Sequence, residues 1–560
     1  MSTPTPDRSP RSLAWVSLFV LGLGLLAVAW MLPANVKSLN PALLREAGRD
    51  TPSVSVLSRD LLALDKPGPA ALVLDAARLV KDPGAGALGV IFDDFQKKHR
   101  EMVPWGGWDV ALDPLLSGQN GTMPAGSTPV LTFMVTERAR ENLRKYLEVS
   151  RLPGVQTLLK TADLTGTKRF VPARKPGGQP LEAVILLTTY LWQTEHLAQS
   201  LQREVRDQAE NAVITGQLGP LEDFYIDILT LGKRLNWVQL SELLRTATST
   251  STVAQFAHLT RVAPEHLPVI YTAALMAKSS DGVARYLITH GKPGIEYLRE
   301  AISYNEGAVE QLVLRQVPVT NRTGLEYEFG ASFALHRPEL ALFVKYAAFL
   351  IGVFLLFRSV DLRMFANIEL ALPGAFPRMG SSILAVILTF IFFVFSEPFL
   401  LKAAASTDYQ VKLLIPVLGQ TAGAPLTHTP PTTSMEFKTI LSISVFALLQ
   451  VGMYIICLLR ISDIARQPMA AAVKLKLMDN EDNLFDGGLY IGIAGTATAL
   501  VLQVMGLIDA NLLAAYSSNL FGIVCVALVK IRHVRPYKRK LILEAQEVPV
   551  SSFTAASLKA

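Results

Sequence analysis

Residues 487–531 read GGLYIGIAGTATALVLQVMGLIDANLLAAYSSNLFGIVCVALVKI, and this stretch decides the fold. It contains two apolar segments, 489–508 and 512–529. A helix rises about 1.5 Å per residue, so each segment can cross most or all of a hydrocarbon core about 30 Å thick. Only residues 509–511 separate the two segments, so the helices must turn back on each other. The stretch therefore predicts a transmembrane hairpin.

The hairpin is rich in small and hydroxyl residues. Lipid offers a hydroxyl no hydrogen-bond partner, so such residues mark a face that packs against other helices or lines a polar path. We expect helix packing at four glycines: Gly492, Gly495, Gly506 and Gly522.

The composition of the whole chain also indicates a membrane protein. Of its 560 residues, 50% are hydrophobic and 18% are charged, and the mean hydropathy is +0.33. The formal charge of +6 does not predict nucleic-acid binding, because much of the basic excess lies beside apolar segments. There it acts as a topology signal and contacts lipid headgroups. Six such residues follow the hairpin: Lys530, Arg532, Arg535, Lys538, Arg539 and Lys540.

Further apolar runs predict a polytopic α-helical protein with about six transmembrane helices and a large exported region. The first run, 13–32, is either a retained anchor or a signal peptide cleaved after Ala27-Val28-Ala29, and its length favours the anchor. Basic loops are expected on the cytoplasmic side of an inner (plasma) membrane. The predicted order is a cytoplasmic N-terminus (1–12), the anchor (13–32), an exported α+β domain (33–215), an exported helical domain (216–338), three spans with their loops (340–459), a cytoplasmic loop (460–486), the hairpin (487–531) and a basic cytoplasmic tail (532–560).

The exported region divides into two predicted parts. In the first, short apolar runs read as strands between helices, which predicts a small α+β domain: 70–75, 130–135, 168–171 and 182–187. In the second, Gly282, Gly294 and Gly307 each precede a short run in which apolar and charged residues alternate. This pattern fits a helical repeat or an ordinary helical domain. Trp105 and Trp108 lie in a loop rich in Gly and Pro, where they either bind a partner or pack onto the domain.

Motifs for catalysis or cofactor binding are absent from the sequence. It contains no phosphate-binding loop, no nucleophile elbow, no His-Glu-x-x-His and no calcium loop. The two cysteines, Cys457 and Cys525, both lie in apolar runs, and the eight histidines are scattered, as surface or capping residues would be. We therefore expect no enzyme activity, no cofactor and no metal site.

Glu397 is the one ionisable residue placed well inside an apolar span, in the run Ser396-Glu397-Pro398. A carboxylate costs several kcal/mol deep in a bilayer unless it is paired, protonated or in contact with water. Glu397 is therefore either a proton or cation site, or a residue of the outer interface near Lys402, with Pro398 bending the helix.

Two runs of the hairpin resemble a known family. The run GIAGTATALV at 492–501 and the run AYSSNLFGI at 515–523 are similar to the second and third helices of the proton-channel family that includes flagellar stators, TolQ and ExbB. The resemblance implies that these helices line an ion path whose flow drives an exported partner, an ExbD-like or MotB-like subunit. Our hypothesis for that path comprises Thr496, Thr498, Ser517, Ser518, Asn519 and Glu397.

The chain also departs from the family pattern. Asn519 stands where the third helix of the family has threonine, and Ala499 stands where the second motif has its other glycine. The cytoplasmic segment 460–486 is much shorter than the helical domain of the family, and the match covers about 45 of 560 residues.

Three function classes remain open on the sequence. The first is an ion-driven energiser in a cell-envelope complex, the second is a structural or secretion scaffold that presents the exported helical domain, and the third is a transporter. The partners expected in each case are membrane lipid and other envelope proteins, in an oligomer or hetero-complex without nucleic acid.

Overall fold

The structure is a computed structural model that describes residues 11–116, 124, 126–320, 325–365, 437–504 and 512–545, with individual residues between 381 and 399. These residues form two compact units. One, the membrane unit, includes residues up to Ser38 and the described residues from Leu325 onward. The other, the helical domain, spans Leu39–Gly324.

The described part of the chain is mainly α-helical. The membrane unit begins with α1 (Arg11–Met31). The helical domain contains α2 (Pro41–Gly48), α3 (Val54–Ala63), α4 (Pro67–Leu79), α5 (Ala85–Lys98), α6 (Asp113–Leu116), α7 (Val130–Met134), α8 (Glu137–Glu148), α9 (Pro153–Lys160), α10 (Gln179–Gln193), α11 (Gln199–Thr215), α12 (Pro220–Gly232), α13 (Trp237–Thr246), α14 (Thr250–Val262), α15 (Leu267–Met276), α16 (Ser280–Ser303) and α17 (Glu306–Arg315). The membrane unit resumes with α18 (Ala331–His336), α19 (Pro338–Phe365), α20 (Phe437–Arg466), α21 (Ala471–Asn480), α22 (Asp482–Phe485), α23 (Gly487–Val504), α24 (Leu512–Ala527) and a π-helical segment (Leu528–Val534).

Three of the described helices are long and apolar enough to cross a membrane: Ala14–Met31, Pro338–Val360 and Phe446–Arg466. The chain is therefore a helical membrane protein. Both arms of the hairpin are helical, as α23 and α24. The hairpin turn, with Gly506, and most of the segment 383–401 lie outside the described residues.

The predicted α+β domain is wrong. Among the described residues there is no strand, and the only bridges are the isolated pairs Leu39–Val319 and Gly166–Gln217. Three of the four strand-like runs lie in α4, α7 and α10, while 168–171 is a loop. The pattern misled because α10 is buried around most of its circumference, and a short apolar run in such a helix lacks the 3.6-residue period that distinguishes it from a strand.

Helices from the beginning and the end of the helical domain pack together. α2 packs against α17 and α4 packs against α15, so the boundary expected at residue 215 lies inside one compact unit. Instead of restarting at Gly294, α16 is kinked at Gly291, where φ is +60°. Large aromatic side chains fill the core: Trp105, Tyr190, Phe224, Tyr225, Trp237, Phe256, Tyr271 and Tyr286.

In the membrane unit, α1 packs along α19. The two backbones approach closely at facing glycines. A Cβ atom on Gly22 would lie 3.0 Å from the carbonyl oxygen of Gly352, and one on Gly352 would lie 3.0 Å from the carbonyl oxygen of Gly22. Small residues permit this approach, which gives dispersion contacts that lipid cannot replace with the same geometry.

A second bundle in the membrane unit consists of α20, α23, α24 and the helical residues that follow them. Its core includes Met453, Cys457, Phe485, Cys525 and Val529. Ion pairs attach the segment before the hairpin to this bundle: Arg460 contacts Glu481 at 2.6 Å and Lys530 contacts Asp486 at 2.7 Å.

Asp227 on α12 makes the helical domain sensitive to pH. Burial raises the pKa of this carboxyl to about 6, and Asp223 reinforces the shift while Arg261 and Arg169 oppose it. The folded state therefore holds the proton more tightly than the unfolded chain, whose aspartate pKa is 3.8. The stability that Asp227 contributes is complete below pH 3.8 and is lost as the pH rises through about 6.

We expect Asp227→Asn to stabilise the helical domain at pH 8 by about 1–3 kcal/mol, because asparagine need not ionise in the buried site. The gain should shrink toward zero near pH 4. Thermal unfolding of the full chain in detergent, followed against pH, measures the difference. Asp93→Asn, at an exposed position, is the control. A gain that is equal at both pH values would contradict the assignment.

Candidate functional site

The glycines of the hairpin bring α23 and α24 into backbone contact. A Cβ atom on Gly492 would lie 3.0 Å from the carbonyl oxygen of Ser518, and one on Gly522 would lie 2.6 Å from the carbonyl oxygen of Gly488. A Cβ on Gly495 would overlap the Ser518 hydroxyl and lie 3.0 Å from the ring of Phe446 on α20. The three glycines thus lie where larger side chains would force the helices apart.

Described hydroxyls of the predicted ion path bind backbone carbonyls of the hairpin. Thr496 and the fully buried Ser518 both donate to the carbonyl of Gly492, at 3.0 and 3.3 Å. Thr498 is exposed and donates to the carbonyl of Ala494 at 2.8 Å. The side chain of Ser517 lies outside the described part of the structure. These bonds give each hydroxyl hydrogen a partner within the same chain, so no second protein is needed to satisfy it in an apolar environment.

Two amide oxygens near the hairpin lack a hydrogen-bond donor. They are Oδ1 of Asn519 on α24 and Oε1 of Gln450 on α20, both of which are buried atoms. Gln450 donates through Nε2 to the carbonyl of Gly488 at 2.9 Å, so α20 is bonded to the hairpin. Gln450 was not predicted from the sequence, although a lone amide in an apolar run was the available signal.

Glu397 is fully buried and binds the backbone where the chain leaves α1. Its Oε1 accepts hydrogen bonds from the N–H of Val36 at 2.7 Å and from the hydroxyl of Tyr346 at 3.2 Å. Its Oε2 accepts from the N–H of Lys37 at 3.2 Å. Both carboxylate oxygens are therefore used to satisfy donors of the protein itself.

Lys345, next to Tyr346 on α19, fastens the same stretch. Its buried Nζ donates to the carbonyl of Ala34 at 2.6 Å and to Oδ1 of Asn35 at 2.9 Å. Lys345 thus donates to hydrogen-bond acceptors, and Glu397 accepts from donors, on the same short segment after α1, residues 34–37. The sequence pointed to Glu397 but not to Lys345 or Tyr346, because their partners at Ala34, Asn35 and Glu397 lie far away in sequence.

The structure places the two loop tryptophans differently. Trp105 is 1% exposed, and its ring stacks on that of Phe133 with centroids 3.9 Å apart. Trp108 is 50% exposed. Partner binding at this loop stays a prediction, and it now depends on Trp108.

The helical domain also contains a buried polar network that the sequence did not predict. His196, expected to be a surface or capping residue, is 3% exposed, and its Nε2 lies 2.7 Å from Oδ2 of Asp109. The guanidinium of Arg245 lies 2.7 Å from Nδ1 of His196 and can only donate, so Nδ1 is the acceptor. Burial would raise the pKa of Asp109, but hydrogen bonds from His196, from the Ala111 N–H and from Trp237 hold it well below its usual range.

This network joins structural elements and carries no nucleophile of its own. Trp237 on α13 donates to Asp109 at 2.9 Å, which ties α13 to the loop that contains Trp108. Within the described ranges, no three His, Cys, Asp or Glu side chains form a group that could hold a metal ion.

We expect Glu397→Ala to destabilise the membrane unit by roughly 2–4 kcal/mol, because stranded backbone donors cost about 1–3 kcal/mol each. Glu397→Gln should lose less, since one amide oxygen can still accept. The thermal midpoint of the full chain in detergent reports the effect. Glu544→Ala, at an exposed site, is the control. Equal midpoints for Glu397→Ala and the control would show that the carboxylate does not hold the segment.

Comparison of the chain with protein-family models, with curated proteins and with solved structures finds no match. The likeness of the hairpin to the proton-channel family therefore has no support outside the runs 492–501 and 515–523. A function must therefore be argued from the contacts of the described side chains.

Proposed function

We propose that the chain is a non-enzymatic integral membrane component of a cell-envelope complex and acts as a scaffold. In this proposal the membrane unit anchors the chain in the inner (plasma) membrane, and the helical domain is presented on the exported side to other envelope proteins. The observation that carries the proposal is the use of polar side chains in the membrane unit for internal hydrogen bonds.

The hairpin hydroxyls support a packing role. Thr496 and Ser518 converge on one carbonyl, that of Gly492, and Gly495 lies against the Ser518 hydroxyl. An ion path needs oxygen atoms that line an open pathway, whereas the Ser518 hydroxyl is fully buried against Gly495. Hydroxyls that bond to a carbonyl between two touching helices stabilise the contact instead.

The contacts of Glu397 support the same conclusion. A proton-carrying carboxylate must release its partners in each cycle, whereas Glu397 binds two backbone N–H groups that the chain cannot satisfy elsewhere without moving. Its role in the proposal is to hold the chain where it leaves α1.

The proposed topology has six spans with both termini in the cytoplasm. The spans are α1, α19, the segment 383–401, α20 and the two arms of the hairpin. Basic residues follow α20 and α24, in agreement with cytoplasmic loops. With that orientation residues 33–338 lie outside the cytoplasm.

A second candidate function is an ion-driven energiser of the TolQ and ExbB type. The observation in its favour is the pair of buried amide oxygens without donors, on Asn519 and Gln450. Each such oxygen costs free energy unless a water, an ion or a partner helix binds it. An ExbD-like or MotB-like subunit would be the expected partner.

The test compares proton flux for the complex purified through the full-length chain and reconstituted in liposomes. The scaffold proposal predicts that the complex retains its composition and passes no more protons than empty liposomes. It also predicts the same result for the double variant Thr496→Ala, Ser518→Ala. The energiser predicts flux that the double variant abolishes.

Thr289→Ala is the control, because this exposed threonine lies in α16 of the helical domain, outside the predicted ion path, and its hydroxyl donates to a carbonyl of its own helix. Flux in the wild-type and control complexes, together with its loss from an intact double-variant complex, would overturn the scaffold proposal.

A further inference from the structure

The helical residues 535–545, which follow the π-helical segment, have two unlike faces. Val534 and Leu541 are buried, and Tyr537 and Lys538 are half-buried beside them. Arg535, Pro536, Arg539, Lys540 and Leu543 are exposed. One face therefore packs on the bundle, and the other presents three cations.

The π-helical segment keeps the packing face in register. Cys525 and Val529 are buried four residues apart, but the next buried position, Val534, comes five residues later. In a regular α-helix, a side chain five positions after Val529 would point well away from the face that Val529 occupies. A π-helical turn has more residues, so the side chain of Val534 returns to that face. The cationic residues beyond are consequently held on the opposite, exposed face.

On the face that packs against the bundle, lysines form ion pairs with the nearby carboxylates. Lys538 contacts Asp479 at 2.7 Å and Asp482 at 3.2 Å, while Lys530 contacts Asp486 at 2.7 Å. On the exposed face, Arg535 and Arg539 form no ion pair with any described residue.

Lys540 is the remaining cation of this face. It approaches only Glu544, at 3.7 Å, and both side chains are largely exposed. The positive charge of the exposed face is therefore almost uncompensated.

The exposed cations line a groove. It has a volume of about 540 Å³ and is formed by Arg535, Pro536, Arg539, Lys540 and Leu543. Arginine guanidinium groups bind phosphate oxygens in a fork, and Pro536 and Leu543 add apolar surface to the same groove. The lining suits a ligand that has a phosphate and an apolar part.

An apolar stripe leads to the groove along the same chain segment. Leu520, Val524, Leu528 and Ile531 are all exposed, with Ile531 at 62%. Arg535 follows Ile531 by four residues, which corresponds to about 6 Å along a helix. The headgroup region of one leaflet is about 5–8 Å thick, so Arg535 lies at phosphate depth when the stripe faces lipid.

We propose that this groove is a binding site for the headgroup phosphate of an anionic phospholipid. The phosphate binds Arg535, Arg539 and Lys540, and an acyl chain lies along Leu528 and Ile531. The site does not depend on whether the chain is a scaffold or an energiser. It differs from a general basic tail because Lys530 and Lys538 are occupied and take no part in it.

The test measures the lipid retained by the full-length protein after extraction from vesicles of phosphatidylcholine with a minority of phosphatidylglycerol. Native mass spectrometry counts each lipid. We expect wild type to retain phosphatidylglycerol in preference to phosphatidylcholine. The triple variant Arg535→Gln, Arg539→Gln, Lys540→Gln should lose that preference by roughly tenfold or more, since each basic residue near a membrane contributes about fivefold.

A charge-matched control is Lys97→Gln, Arg203→Gln, Arg285→Gln, which removes three exposed cations from the helical domain. It should retain phosphatidylglycerol as wild type does. Excess inorganic phosphate separates a lipid site from a phosphate site, because we expect it not to displace the lipid. Equal retention of both lipids by wild type, wild-type retention by the triple variant, or displacement by inorganic phosphate would each overturn the proposal.

Discussion

The membrane unit depends on one constraint: backbone N–H groups that leave water must find acceptors in the protein. The chain meets this constraint at the end of α1, where Val36 and Lys37 donate to Glu397 across more than 350 residues of sequence. Tyr346 donates to the same carboxylate, and its neighbour Lys345 binds the carbonyl of Ala34. Three distant segments are thereby joined at one point. The close glycine contact between α1 and α19 fixes the same two helices farther along their length.

The hairpin meets the same constraint with smaller groups. Glycine lets the backbones touch, and the carbonyl of Gly492 then accepts from both Thr496 and Ser518. In the helix ladder the same carbonyl also accepts from the N–H of Thr496, so one N–H and two hydroxyls share its two lone pairs. Side-chain acceptors are less completely satisfied, and Asn519 and Gln450 beside the hairpin each have a buried oxygen without a donor.

Sequence reasoning predicted a helical membrane protein, because long apolar runs and small-residue faces follow directly from the chemistry of lipid. It failed in the helical domain, where runs such as 70–75 and 182–187 looked like strands. Buried helices lose the periodicity on which the distinction depends, and α10 shows this most clearly. It also missed Lys345, Gln450 and His196, because each makes contacts with residues far away in sequence. Glu397 was found because a charge in an apolar run is conspicuous, yet its partners, two backbone N–H groups, have no sequence signal.

The basic run after the hairpin shows what structure adds to a compositional signal. In the sequence its six cations are equivalent and serve one topological purpose. In the fold they differ in environment: Lys530 and Lys538 pair with Asp479, Asp482 and Asp486, whereas the other four are exposed. A single π-helical segment decides which residue belongs to which group, since it sets the rotation between Val529 and Val534. Removing one residue from that segment would rotate the following helix by about 100° and turn Leu541 away from the bundle. The rotation of the helix, as well as the number of basic residues, therefore determines which cations are exposed toward the membrane surface.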